Sequence, residues 1–177
     1  SSDEAFMTLA AGAPPGCEGL VFLPALAGAM SPKWIAAARG GFVGLTLSHG
    51  PEHVARAVLE SCAFAMRDVV ERLDALGVAT PRLRIMGGGA RSSLWAQIHA
   101  DVAQRPADVL RASDASAAGA AVLAAVAGGI MPDIATAAEA LHLPLMTLEP
   151  DASAREPYDA AYARYREVFA ALEPVWR

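Results

Sequence analysis

Cysteine is nearly absent from this sequence: Cys17 and Cys62 are the only two. With no C-x-x-C pair and no clustered histidines beside them, sequence neighbours build no metal site. Cys62 stands among apolar residues, where a free thiol behaves as a small hydrophobe. Excess positive charge is missing too. A formal net charge of -5 leaves no broad basic surface, which excludes nucleic acid as a general partner and favours small ligands. No basic segment followed by a compact apolar run opens the chain, so a secretory leader is not expected. A reducing, cytoplasmic setting is the expectation. The chain begins Ser1-Ser2-Asp3 without an initiator Met, which is compatible with a cut or a processed chain. No Lys-Ser or Lys-Thr follows any glycine cluster, which excludes the G-x-x-x-x-G-K-[ST] phosphate loop. Uncharged runs of membrane length are represented only by Ala115 to Pro132. That run is mostly Ala and Gly, including Gly119, Gly128 and Gly129, whose transfer to lipid gains little. A tightly packed helix is the reading, and no membrane partner is expected.

What the sequence does contain is a glycine turn in an informative place. Leu83-Arg84-Ile85-Met86 has the length of a buried strand, and beyond Ser92 the apolar residues Leu94, Trp95, Ile98 and Val102 recur at helical spacing. Gly87, Gly88 and Gly89 lie between. Glycine has no Cβ and accepts positive φ, so a strand, a tight turn and a helix N-terminus bring bare backbone N–H groups up to an anion or a flat ring. The pattern alone leaves rivals open. A dinucleotide loop needs G-x-G-x-x-G or G-x-G-x-x-A, and here Ser92 takes the last position, although Asp108 stands about where that fold's ribose-binding acid would be. A structural turn that binds nothing is the other rival.

In chain order, a short amphipathic helix around Phe6, Met7 and Leu9 ends at Pro14-Pro15, and Gly19 to Pro24 reads as a buried strand. Ala25 to Gly41 has loop composition, and a loop of that length is often functional. Pro51 to Leu76 is the longest helix, with Val54, Val58, Cys62, Met66, Val69, Leu73 and Leu76 in one stripe and Gly77 after its end. On its other side Arg56 and Glu60, Arg67 and Glu71, Asp68 and Arg72 are four apart and read as a solvated face. His53, alone in the first turn, reads as a surface or packing residue. A helix over Ser93 to Ala103, a strand over Ala107 to Leu110 and an Ala-rich helix capped from Ser113 to Ser116 follow. A short helix over Ile134 to Leu141, an edge strand over Leu145 to Leu148 and a terminal helix over Pro157 to Leu172 complete the series. Tyr158, Tyr162, Tyr165 and Phe169 mark the apolar side of the last. Alternating strands and helices predict an α/β layer with parallel pairing. So few strands for so many helices imply a sheet completed from outside this sequence.

With these elements placed, the residues resemble the C-terminal lobe of the FGGY family of carbohydrate kinases, and within it the xylulose kinases. The run Gly40-Gly41-Phe42-Val43-Gly44-Leu45, followed after seven residues by His53-Val54-Ala55-Arg56-Ala57-Val58-Leu59-Glu60, is similar to that family's second diagnostic pattern. Phe22-Leu23-Pro24-Ala25-Leu26-Ala27-Gly28 upstream, and Gly87 to Ser92 and Gly119-Ala120-Ala121 downstream, resemble further family segments. The resemblance implies an α/β fold, the C-terminal lobe of an actin-like (ribonuclease H-like) ATPase, incomplete here. It implies ATP in a cleft between two lobes, with Gly88, Gly89 and Ala90 along the adenosine and α-phosphate. Gly87 would permit the turn, and Ser93 would offer a polar contact near the adenine.

The implied chemistry is in-line transfer of the γ-phosphoryl group to a sugar hydroxyl, with Mg²⁺ held mainly through ATP and the absent lobe. D-xylulose, giving D-xylulose 5-phosphate, is the first candidate. The family's catalytic aspartate and first phosphate loop have no counterpart here, so this chain alone is expected to be inactive. At Gly28-Ala29-Met30-Ser31-Pro32-Lys33-Trp34 many xylulose kinases carry a Gly-Glu-Arg-Thr-Pro-like segment, and the difference leaves ribulose, glycerol or another polyol open. Its own N-terminal lobe and a second copy in a homodimer are the expected protein partners. A non-catalytic interaction or dimerisation module of the same fold is the rival function. A dinucleotide oxidoreductase is a third, without support outside the turn.

Overall fold

The computed structural model describes residues 2–30, 33–110, 115–141 and 145–176. Helix α1 (Ser2–Ala10) leads through a tight connection into strand β1 (Val21–Leu23), which pairs antiparallel with β2 (Gly41–Val43). Phe22 and Phe42 stack across this ribbon with ring centroids 4.6 Å apart. The ribbon's second strand begins at the last residue of the expected loop and was not expected, because three half-exposed residues carry too little pattern to stand out.

Helix α2 (Pro51–Ala75) runs through the centre. Pro51 occupies its first turn, where the missing N–H costs nothing, and the Gly50 N–H donates to His53 Nδ1 at 3.1 Å. Its end is set by Gly77 at φ +79°, with Val78 N–H donating to Leu73 O at 3.0 Å and Gly77 N–H to Asp74 O at 2.9 Å. This double bond pattern satisfies carbonyls that the last turn leaves open.

Beyond it, β3 (Leu83–Ile85), α3 (Ser93–Ala103) and β4 (Ala107–Leu110) form a β-α-β unit with parallel pairing, Leu83 opposite Ala107. Helices α4 (Ala115–Ala127) and α5 (Ile134–Ala140) precede β5 (Leu145–Leu148), which pairs antiparallel with β4. Helix α6 (Arg155–Leu172) returns across α2, α3 and β1. The main core joins α1, α2, α3, α6 and β1 around Leu23, Leu59, Phe64, Ile98, Val102 and Tyr158. Phe64 meets the rings of Tyr158, Tyr162 and Tyr165 at 6.4, 6.1 and 5.6 Å. Each large side chain buried there stabilises the fold by roughly 1.5–3 kcal/mol. A smaller cluster of Ala90, Ala96 and Val109 lies between α3 and the three-stranded sheet.

The structure corrects four readings. The charges of α2 are not all solvated: Arg56 and Glu60 are 7% and 1% exposed, and their Nε–Oε1 distance is 2.7 Å. The expected stripe is not the buried side either. Val54, Val58, Cys62, Met66, Val69 and Leu73 are half-buried and Leu76 is exposed, whereas Ala55, Leu59, Ala63 and Phe64 are covered. Small residues let α1, α3 and α6 approach closely, so the arc with less hydrophobic bulk faces the core. Strand β3 is not buried, because among the described residues β4 is its only neighbour in the sheet: Leu83 and Ile85 are half-buried and Met86 is 51% exposed. Helix α4 is not tightly packed, for among its residues only Val122 is buried. Its expected caps at Ser113 and Asp114, and Ser31 and Pro32 of the sugar-side segment, lie outside the described residues. Among the described residues no helix is long and apolar enough to cross a membrane.

Candidate functional site

The glycine turn leaves β3 at Met86 and passes through a single tight turn, Gly88–Arg91, into α3. Gly87 adopts φ +76°, ψ -153°, a region open in practice only to glycine. Gly89 is required for a different reason: a Cβ there would come within 3.1 and 3.2 Å of the Trp95 ring. That ring is fixed from below, its Nε1–H donating to Leu59 O of α2 at 3.2 Å. Ser92 caps α3, accepting from Trp95 N–H at 3.1 Å, and Ser93 opens the helix exposed to solvent. Gly88 is unlike its neighbours. A Cβ built on it meets nothing within 4 Å and, unlike Gly87, it does not have a positive φ, so nothing among the described residues explains why it is glycine.

Open space beside Gly88 belongs to a cleft of about 880 Å³. One wall is the turn and the start of α3, with Gly88, Gly89, Arg91 and Ser93. The facing wall is α1, through Asp3, Glu4, Met7 and Thr8, and Leu94 and Trp95 also border the space. Of the expected ligand residues, Gly88, Gly89 and Ser93 therefore share this cleft. Gly87 and Ala90 do not line it. Ala90 is 2% exposed and packs with Ala96 and Val109 under the sheet, its N–H donating to Gly87 O at 3.2 Å. The α1 wall and Arg91 are additions to the sequence reading. Nothing local announces that α1 returns to face a turn some eighty residues later.

The charged residues of the second motif do a different job. Arg56 donates to Glu60 Oε1 at 2.7 Å, to Ala13 O at 3.0 Å and to the Tyr158 hydroxyl at 2.8 Å. Glu60 also accepts from Gly16 N–H at 3.1 Å and from the Cys17 thiol at 3.3 Å. Burial pushes the Glu60 carboxyl up from its ordinary range against the opposing pull of Arg56, and burial first, then Glu60, pushes the Cys17 thiol up as well. The network clamps the connection into β1, where Cys17 and Glu18 are held at φ 47° and 50°. It is a brace for strained backbone. His53, 8% exposed, packs beside it.

Asp108, the one acid that a dinucleotide loop could have used, is 6% exposed and held within the sheet by Arg82 at 2.6 Å and the Thr147 hydroxyl at 2.8 Å. Among the described residues no group of three or more His, Cys, Asp or Glu is arranged to hold a metal ion.

The sequence pattern describing the FGGY family of carbohydrate kinases, C-terminal domain, matches residues 2–128. The chain belongs to that family. The xylulose kinase of Escherichia coli strain K12 is 34% identical over 180 residues, covering 99% of this chain and 36% of that protein. The glycerol kinase of Gloeobacter violaceus is 40% identical over 122 residues, covering 68% of this chain and 24% of that protein. Among solved structures, xylulose kinase from Rhodospirillum rubrum matches with a TM-score of 0.82 and 37% identity over 98% of this chain and 35% of that one. This FGGY chain thus spans about a third or less of the length of the curated relatives it matches. Its mixed α/β architecture is that of the C-terminal domain in an actin-like fold, as the neighbouring structures require.

Proposed function

We propose that this chain is the nucleotide-side portion of an ATP-dependent sugar kinase, with D-xylulose the first candidate acceptor and D-xylulose 5-phosphate the product. The observation that carries the nucleotide reading is the cleft beside Gly88, where a glycine unexplained by packing faces open space at the N-terminus of an eleven-residue helix. Bare amides and the positive end of that helix suit a phosphate or the edge of a base. Xylulose is favoured over glycerol because the xylulose kinase alignments run through 95% and 99% of this chain, whereas the glycerol kinase alignments stop near two thirds to seven tenths.

Gly88, Gly89 and Ser93 hold the adenosine side in this reading, and Gly87 gives the turn its shape. Ala90 supports the wall from the core side. ATP supplies the γ-phosphoryl group, and Mg²⁺ offsets its charge through the phosphates and the remaining lobe. Both the base that takes the sugar proton and most sugar contacts belong to that lobe. Positioning supplies most of the rate in phosphoryl transfer, and one wall positions nothing. A homodimer is part of the proposal: Leu26, Trp34 and Leu47 are 73%, 72% and 108% exposed, apolar surface of the kind that interfaces cover.

Calorimetric titration of ATP into the protein tests the cleft. Gly88→Leu, whose side chain enters the open space, is expected to weaken binding more than tenfold while leaving the fold intact. Equal, negligible binding by both proteins would instead identify a non-catalytic module of the same fold.

A further inference from the structure

Helix α2 starts on a bond that reaches backwards. The Gly50 N–H donates to His53 Nδ1 at 3.1 Å, from the third position of the helix. Glutamate or glutamine ordinarily makes this bond, and each keeps an acceptor oxygen at any physiological pH. An imidazole nitrogen accepts only while it is unprotonated. In the cation both nitrogens are donors, and histidine is the side chain whose charge changes between about pH 5 and pH 8. The cap of α2 is therefore one that a proton removes.

The groups around the buried His53 decide where its hydrogens go. Glu52 Oε1 stands 3.3 Å from Nδ1, and Glu18 Oε2, on the connection before β1, stands 3.7 Å from Nε2. Arg56, one turn on, is held by Glu60, which also takes the Cys17 thiol. Arg164 of α6 comes as far as Gly19, beside Glu18. Helix α1 brings its far end here, with Gly12 against Glu52, and its acids Asp3 and Glu4 lie in its first turn. The ring of His49 meets that of His53 edge-on, centroids 5.3 Å apart. Its Nδ1 accepts from the Thr46 N–H at 2.9 Å, so its hydrogen sits on Nε2, a buried atom without a hydrogen-bond partner among the described residues. Among those residues no carboxylate pairs with His49, so the cation has partners waiting at His53 and none at His49. The positive end of α2, equivalent to about half a unit charge, acts against the cation, and the two carboxylates offset it.

We propose that His53 is a proton-operated latch on the start of α2. Neutral, it caps the Gly50 amide; protonated, it turns its N–H groups to Glu52 and Glu18 and lets that amide go. The connection it releases carries the exposed apolar residues Leu45 and Leu47, so acid loosens a stretch of apolar surface together with the helix start.

The test uses the protein at its natural length, labelled with ¹⁵N at histidine, and follows His53 Nδ1 by NMR from about pH 8 to about pH 5. Its signals are those that vanish in His53→Gln. Hydrogen exchange of residues 45–52 is read beside it, as protection relative to the unstructured rate. Nδ1 is expected to pass from unprotonated to protonated, and protection of that segment to fall about fivefold over the same step, the usual worth of a cap. His53→Gln keeps the acceptor and loses the titration, so its segment is expected to stay protected at both ends of the range. Glu18→Gln with Glu52→Gln removes the partners of the cation, and the midpoint is expected to move about one unit towards acid. An Nδ1 that stays unprotonated down to about pH 5 would overturn the latch. So would a loss of protection in His53→Gln equal to that in the unaltered protein. A midpoint unmoved in the double variant would overturn the exchange of partners on which the latch depends.

Discussion

At Gly87 the backbone takes φ +76°, ψ -153°, and any L-residue placed there is strained. Gly87→Ala is therefore expected to destabilise the fold by about 1–3 kcal/mol. Gly88→Leu, one residue on, is expected to change stability by less than about 0.5 kcal/mol, since its Cβ meets nothing. Urea unfolding of the two variants checks this, and equal losses would mean that both glycines serve the turn alone. Arg56 gives the opposite case. Arg56→Leu leaves Glu60, 1% exposed, without its cation and frees the Ala13 carbonyl and Tyr158 hydroxyl, so a loss of about 3–5 kcal/mol is expected in the same assay. The sequence offered this pair as an ordinary i, i+4 surface bridge, because spacing along a helix carries no information about what covers it. His99 supplies a pH signature. Burial holds its imidazole below the ordinary value of 6.5, with Nδ1–H donating to Trp95 O at 2.8 Å. Below that value the unfolded chain takes up the proton before the folded one. Stability contributed by the neutral ring is then present above the unfolded pKa and lost as the pH falls towards the folded pKa. Melting temperatures between about pH 7 and pH 5 should fall, and His99→Gln should flatten that part of the profile.

Elements were legible where their periodicity was long or their punctuation strong. Helix α3, strand β4 and strand β5 stand where the spacing put them, and α2 ends one residue before its expected limit, two residues ahead of the glycine that stops it. Strand β2 was not legible, and burial was misjudged for β3 and α4. Apolar composition says that a surface will be covered without saying by what. Among the described residues strand β3 pairs with β4 on one side only, with Leu83 N–H donating to Pro106 O at 2.8 Å. Alternation along a parallel strand then turns the Arg84 N–H to the open edge. In this chain that amide is expected to exchange with solvent within the fastest class. In a protein of the relatives' length, a strand completing the sheet should protect it. Hydrogen exchange of the two lengths compares them, and equal exchange would mean that β3 is a true edge.

For the whole molecule, the expected outcome is that the 177-residue chain phosphorylates no sugar, D-xylulose included, while the protein at full kinase length does so with ATP and Mg²⁺. A coupled ADP-release assay reads both, and turnover by the short chain would overturn the assignment of base and sugar contacts to another lobe. Family membership and the order of elements were determined by the sequence, because glycine punctuation, helical stripes and the paired motifs are local properties of a chain. What decided the cleft was tertiary structure. Whether Gly88 faces a ligand, a neighbour or nothing depends on α1 returning across the turn, and whether Arg56 meets water or Tyr158 depends on α6 crossing α2. Those contacts join residues far apart in the chain, and the packing of Ala-lined helix faces that brings them together leaves no periodic mark.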